Sequence, residues 1–250
     1  MNPSTERIMI HPRVLRGTVA AIPSKSDAHR KLICCALANK PTLLAIDQSQ
    51  TGDDIAVTIA CLTALGAHIE SVDEKWLRIM PVPRDEWRPV EIDCGESGST
   101  LRFLLPIIPA LNREVTIHGR GKLPDRPISP LREQLQNRGA TFTAMKLPLT
   151  VSGPLRGGIY QLQGNVSSQF VSGLLMALPL LEEDSEIQLT SPLESADYVR
   201  MTLDSLAQFG IRIDQIPSGG YRIPGGQHFQ SPDKLSVEGD WSSSAFYLSA

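Results

Sequence analysis

Three stretches of this chain open in the same way. Ser24-Lys25-Ser26, Ser97-Gly98-Ser99 and Ser167-Ser168-Gln169 each start a mostly apolar run, at intervals of about 70 residues, and self-similarity at a fixed interval is the mark of repeated supersecondary units. The runs are SKSDAHRKLICCALA, SGSTLRFLLPIIPAL and SSQFVSGLLMALPLL. A serine hydroxyl accepts from the free N–H groups of a first helical turn, so each reads as a Ser-capped helix. The second and third are apolar nearly all round, which predicts burial. Each run is followed by an amphipathic helix, with Ile55, Ile59 and Leu62 on one face of the first, Leu131 and Leu135 on the second, and Val199, Leu203 and Leu206 on the third. These helices end at Gly66, Gly139 and Gly210, which suit a left-handed C-terminal turn. Strand-like stretches follow each glycine, and EVTIHG and SEIQLTS separate the two helices of the second and third units. The predicted fold class is therefore α/β: an inside-out lobe of three helix-strand-helix-strand-strand repeats, with buried helices and outer sheets.

Composition constrains the partners. The net charge of −3 gives no global attraction to nucleic acid or anionic membrane, so an anion site must be built locally. Cys34, Cys35, Cys61 and Cys94 form no CxxC pair and read as free buried thiols in a reducing compartment. MNPSTERIMIHP lacks the apolar core of a signal peptide, and no apolar run reaches the ~18 residues of a membrane span. The expectation is a cytoplasmic protein.

The helix starts are also where the chemistry points. Free N–H groups and a partial positive charge favour anions there. Lys25, Arg30 and Arg102 lie close by, with Arg126 in the loop LPDRPIS and Arg200 in the third unit. Taken singly, Ser24, Ser97 and Ser167 read as caps, Lys25 and Arg30 as a solvated helix face, and Asp53-Asp54 as a cap and dipole partner. Taken together, hydroxyls and cations at equivalent points of a repeat read as a site for phosphate and carboxylate groups. Other patterns fail on spacing. Gly95 to Ser99 lacks the final glycine of a nucleophile elbow, and Gly119-Arg120-Gly121-Lys122 is no P-loop. The histidines have no ligand spacing, so no metal is expected.

Six segments carry a family resemblance. Pro23 to Arg30 (PSKSDAHR), Gly95 to Arg102 (GESGSTLR), Leu123 to Ile128 (LPDRPI), Ser167 to Phe170 (SSQF), Ser195 with Tyr198, and Val237 to Asp240 (VEGD) occur in one order along nearly the whole chain. Together they resemble the signatures of the 5-enolpyruvylshikimate-3-phosphate synthases. That resemblance implies the enolpyruvyl transferase fold of two lobes joined by a double crossover. It implies transfer of the enolpyruvyl group of phosphoenolpyruvate to the 5-hydroxyl of shikimate 3-phosphate, a shikimate-pathway step toward chorismate and the aromatic amino acids. No cofactor or metal, no nucleic acid and no membrane is implied; full-length relatives are expected to be monomeric, and the family is the target of glyphosate.

Carried over by the resemblance, Lys25, Arg126 and Gln169 form the catalytic set. Lys25 sits between the substrates, Arg126 and Gly98 serve phosphoenolpyruvate, and Gln169 meets both. Ser26 and Arg30 hold the shikimate carboxylate. Ser167, Ser168 and Ser195 hold its phosphate, Tyr198 lines the ring site, and Ser99 belongs to the same substrate-binding group. Glu96-Ser97 departs from the Asn-Ala of many members, which bears on pocket shape and glyphosate response, and Asp197 is acidic where a neutral or basic residue is common. The implied domains are a leading strand region of the other lobe at 1–20, the substrate-binding lobe at 21–238, and a truncated start of the C-terminal lobe at 239–250. The expectation is that this polypeptide does not turn over alone. The rival readings are a UDP-N-acetylglucosamine enolpyruvyl transferase, an RNA 3′-phosphate cyclase relative, and a non-catalytic anion-binding lobe.

Overall fold

The computed structural model describes residues 16–84, 88–217 and 219–249. Residues 1–15 of the expected leading strand region lie outside the described residues. The three Ser-capped helices form as expected: α1 (Lys25–Leu37), α3 (Gly98–Ala110) and α5 (Ser168–Ala177). The amphipathic helices are α2 (Asp53–Ala64), α4 (Leu131–Asn137) and α6 (Ala196–Gln208). Gly66, Gly139 and Gly210 follow these helices with φ of 104°, 103° and 72°, the left-handed region that only glycine enters without strain.

Among the described residues, twelve strands make three four-stranded sheets. The first holds β1 (Thr42–Ala45), β2 (His68–Asp73), β3 (Trp76–Met80) and β12 (Lys234–Ser236). The second holds β4 (Val90–Asp93), β5 (Glu114–His118), β6 (Thr141–Phe142) and β7 (Leu149–Ser152). The third holds β8 (Gly158–Leu162), β9 (Ser185–Leu189), β10 (Asp214–Gln215) and β11 (Gly220–Ile223). Their orders, β12-β1-β3-β2, β4-β5-β7-β6 and β8-β9-β11-β10, are the same pattern three times. In each, the first pair is parallel and the rest are antiparallel. A parallel pair needs a crossover, and α3 and α5 supply it for the second and third sheets.

The repeat is thus one strand longer than the sequence reading. The second and third units are strand-helix-strand-helix-strand-strand. The first unit takes its leading strand from the far end: Leu43 pairs with Lys234 and Ala45 with Ser236. The added strands are β4, β8 and β12, three to five residues long, for which the sequence reading names no segment, while β1 fills the strand place that the repeat gives the first unit.

The sheets lie outside and the helices inside. Nearly all of α1, α3 and α5 is buried. α3 and α5 approach so closely at Gly173 that a Cβ there would stand 2.5 Å from the Arg102 carbonyl oxygen. Strand β12 is latched to α1 by a buried ion pair. Lys31 Nζ donates to Asp27 Oδ2 at 2.7 Å and to the Ser236 carbonyl at 2.7 Å, while Asp27 Oδ2 accepts from Glu238 N at 2.9 Å. Pro23 bridges Gly239, and Asp240 N donates to Ile22 O, so the chain enters and leaves this body side by side. A final helix, α7 (Trp241–Leu248), is capped by Asp240 rather than by a serine. Trp241, Phe246, Tyr247 and Leu248 on it are exposed. Among the described residues no helix is long and apolar enough to cross a membrane.

Candidate active site

Each serine cap is made. Ser24 accepts from Asp27 N at 3.4 Å, Ser97 from Thr100 N at 3.3 Å and Ser167 from Gln169 N at 3.3 Å. The helices so capped open onto one cleft of about 480 Å3. Lys25 and Ser26 reach it from α1, Ser99 and Arg102 from α3, and Ser167, Ser168 and Gln169 from the start of α5. A fourth helix start, that of α6, adds Ser195 and Tyr198. Ser195 sits at φ 56°, ψ 44° and makes no side-chain cap bond. A non-glycine residue held in that region carries backbone strain, which concentrates at functional sites. Its hydroxyl is not spent on the helix.

Among the described residues the cations at the cleft are held without acid partners, with one exception. Arg30 is 2% exposed, not part of a solvated face. Its guanidinium donates to Thr202 Oγ1 at 2.7 Å, Ser26 O at 2.6 Å, Tyr198 O at 2.9 Å and Ser172 Oγ at 3.4 Å, and lies 5.1 Å above the Phe103 ring. Burial pushes its pKa down to about 10, which still leaves it charged at neutral pH. Arg102 is also depressed, first by burial and then by the neighbouring Arg126. Among the described residues no carboxylate lies within 4.0 Å of Arg30, Arg102 or Arg126. Crowded guanidiniums with no counter-ion favour an added anion. The exception is Lys25, whose Nζ is 2.9 Å from Asp54 Oδ2. Asp54 lies in the first turn of α2, but the cap there is Gly52, so the aspartate pair is not the cap that the sequence suggested.

Gln169 ties two helix starts together. Its Oε1 accepts from Arg102 Nη1 at 2.7 Å and its Nε2 donates to Ser99 Oγ at 2.8 Å. Arg102 has only donors, so the amide orientation follows from chemistry. Arg102 Nη2 also donates to Pro127 O at 3.3 Å, which brings the loop carrying Arg126 to the cleft. Gly98 and Arg126 lie beside the cleft rather than on its wall. A Cβ on Gly98 would stand 2.9 Å from Arg126 Nη1 and 3.7 Å from Arg102 Nη1. Glu96 is exposed, and its carboxylate fills the space that a side chain at Gly121 would need.

Arg102 is more central than its sequence reading suggested. The available signal was its spacing, one turn beyond Ser99 on the same helix face. Phe103, which lines the cleft and lies under the Arg30 guanidinium, carried no signal of its own, nor did Ser172 and Thr202, which act through Arg30 across up to 172 positions of sequence.

The sequence profile of EPSP synthase (3-phosphoshikimate 1-carboxyvinyltransferase) matches residues 10–250. A protein of Clostridium perfringens strain SM101 named 3-phosphoshikimate 1-carboxyvinyltransferase is 40% identical over 249 residues, covering 98% of this chain and 58% of that protein. One of the same name from Clostridium acetobutylicum is 40% identical over 248 residues, covering 97% and 57%. An EPSP synthase structure from Acinetobacter baumannii superposes with a TM-score of 0.79 at 22% identity, covering 93% of this chain and 52% of that one. That likeness gives the same mixed α/β fold. The chain spans little more than half the length of the relatives it matches.

Proposed function

The chain belongs to the EPSP synthase family, and from that premise we propose that its cleft is the shikimate 3-phosphate half of an enolpyruvyl transferase site. The reaction moves the enolpyruvyl group of phosphoenolpyruvate to the 5-hydroxyl of shikimate 3-phosphate. C3 of the enol takes a proton as the hydroxyl oxygen attacks C2. The tetrahedral adduct then expels phosphate while C3 returns the proton. The observation that carries this reading is the convergence of four helix starts on one cleft whose arginines have no carboxylate partner among the described residues. Both substrates are polyanions, and preorganised N–H groups and cations suit the charge that develops between them.

The residue roles are those that the family resemblance implies, and the placement of these side chains around the cleft supports them. Ser167, Ser168 and Ser195 hold the 3-phosphate at the starts of α5 and α6. Ser26 and Arg30 take the shikimate carboxylate, and Tyr198 lies against the ring. Arg126, with Gly98 beside it, receives phosphoenolpyruvate. Gln169 stands between the two pockets because it is already bonded to both Arg102 and Ser99. Lys25 exchanges Asp54 for substrate oxygens when phosphoenolpyruvate enters. The substrate-binding lobe is residues 21–238. We place the protein in the cytoplasm, a compartment that suits four cysteines all free and buried. Glyphosate is the inhibitor expected at the phosphoenolpyruvate pocket.

The test is a chimera in which this segment replaces the matching part of the Clostridium perfringens relative. Phosphate release dependent on shikimate 3-phosphate is expected, with a loss of about 100-fold or more in Arg126→Ala. A folded chimera that turns over UDP-N-acetylglucosamine instead, or binds neither substrate, contradicts the proposal.

A further inference from the structure

Arg30 does not hold itself in place. Its side chain leaves the second turn of α1 and ends among α5 and α6. A guanidinium has five N–H donors, and four acceptors meet this one: Thr202 Oγ1, Ser26 O, Tyr198 O and Ser172 Oγ. All four are neutral. Asp27, the acid on the same helix, is already paired with Lys31 at 2.7 Å. Among the described residues the charge of Arg30 therefore meets no acid, and what these four contacts control is the direction of the guanidinium plane.

Thr202 is best placed to set that direction. It is fully buried and does not line the cleft. Its hydroxyl accepts from Arg30 Nε and has one proton to give, to Ser172 Oγ at 2.8 Å or Tyr198 O at 3.0 Å. One oxygen thus links α1, α5 and α6, the helices whose first turns form this side of the cleft. A carboxylate at position 202 would neutralise Arg30. An apolar side chain would leave Nε–H buried and unpaired, and the plane free to turn. We propose that Thr202, backed by Ser172, is a positioning residue that orients the Arg30 guanidinium toward an anionic group of the substrate. This inference rests on the reading of the cleft as a shikimate 3-phosphate site.

The experiment pairs Thr202→Val, close in shape, with Thr202→Ser, which keeps the hydroxyl. In calorimetric titration of shikimate 3-phosphate, Thr202→Val weakens binding about tenfold and Thr202→Ser about twofold or less. In an Arg30→Ala background Thr202→Val has no further effect, because its action runs through Arg30. A second arm needs no ligand. The Arg30 Nε–H resonance is a slowly exchanging NMR signal in the unaltered chain and in Thr202→Ser, and is lost to exchange in Thr202→Val. Unaltered affinity in Thr202→Val, or a loss that adds fully to that of Arg30→Ala, overturns the inference and leaves the functional reading standing. If the unaltered chain binds no shikimate 3-phosphate, the functional reading fails, and the NMR arm alone decides: a signal unchanged in Thr202→Val overturns the positioning role, and its loss supports it. Should Thr202→Val not fold, Ser172→Ala takes its place, with a smaller fall in affinity expected and unchanged affinity overturning the claim.

Discussion

His29 is 1% exposed, with Nδ1 2.8 Å from Thr58 Oγ1 and Nε2 buried without a partner among the described residues. From Thr58 the hydroxyl contacts continue through Thr100 to the Ser97 cap. Burial, the largest cause, lowers the pKa of His29 from 6.5 to about 4. The unfolded chain therefore binds the proton first as pH falls. Stability from this residue is complete above pH 6.5 and declines toward pH 4, by about 3 kcal/mol. Denaturant midpoints across that range should fall more steeply in the unaltered chain than in His29→Asn; parallel profiles would refute the burial argument. At Gly98 the scale is a single methyl group. The atom it would meet is the end of the flexible Arg126 side chain, so Gly98→Ala should leave the melting temperature unchanged. Displacing that guanidinium should weaken phosphoenolpyruvate about tenfold and spare shikimate 3-phosphate. Equal losses for both ligands would place Arg126 elsewhere in the site. The serine caps were legible as residues because capping is a local bargain between one hydroxyl and the next turn. Arg30 was legible as a candidate cation but its burial was not, since that depends on Thr202 and Ser172, which local sequence cannot bring near.

Among elements, helices and their glycine stops could be read directly, because a helix displays its period within its own length. The leading strands could not. β12 contributes three residues and acquires meaning only by lying beside β1, across almost the whole lobe. The latch that holds it is the Asp27–Lys31 pair, with side chains 4% and 8% exposed. Lys31→Met leaves Asp27 buried beside the Glu238 amide with no cation, and should cost about 3–5 kcal/mol. Asp27→Leu/Lys31→Met removes both charges and should recover much of that loss. Chemical denaturation of the single and double variants decides the matter: a double variant as unstable as Lys31→Met alone would mean that the stranded charge is not the source of the cost. The close crossing of α3 and α5 makes a related prediction. The group facing Gly173 is backbone, the Arg102 carbonyl, and cannot swing aside. Gly173→Ala should therefore separate the helices, destabilise by about 1–3 kcal/mol, and also weaken ligand binding, because Arg102 and Gln169 meet across the same contact.

At the scale of the whole molecule, the threefold repeat gathers its helix starts at one place. No single unit has a site; Lys25, Arg102, Gln169 and Ser195 come from different helices and share a wall only when all three units are packed. That convergence was an expectation of the repeat, and the packing of buried helices inside three equivalent sheets is its physical cause. The central claim is that this cleft recognises a phosphate on a small acidic ring, and its most direct measurement is calorimetric titration of shikimate 3-phosphate into the 250-residue chain, with shikimate as the comparison. Saturable binding with one site, at least tenfold weaker for shikimate and weakened to a similar degree by Ser168→Ala, is the predicted result. No saturable heat, or equal affinity for the two compounds, would contradict it.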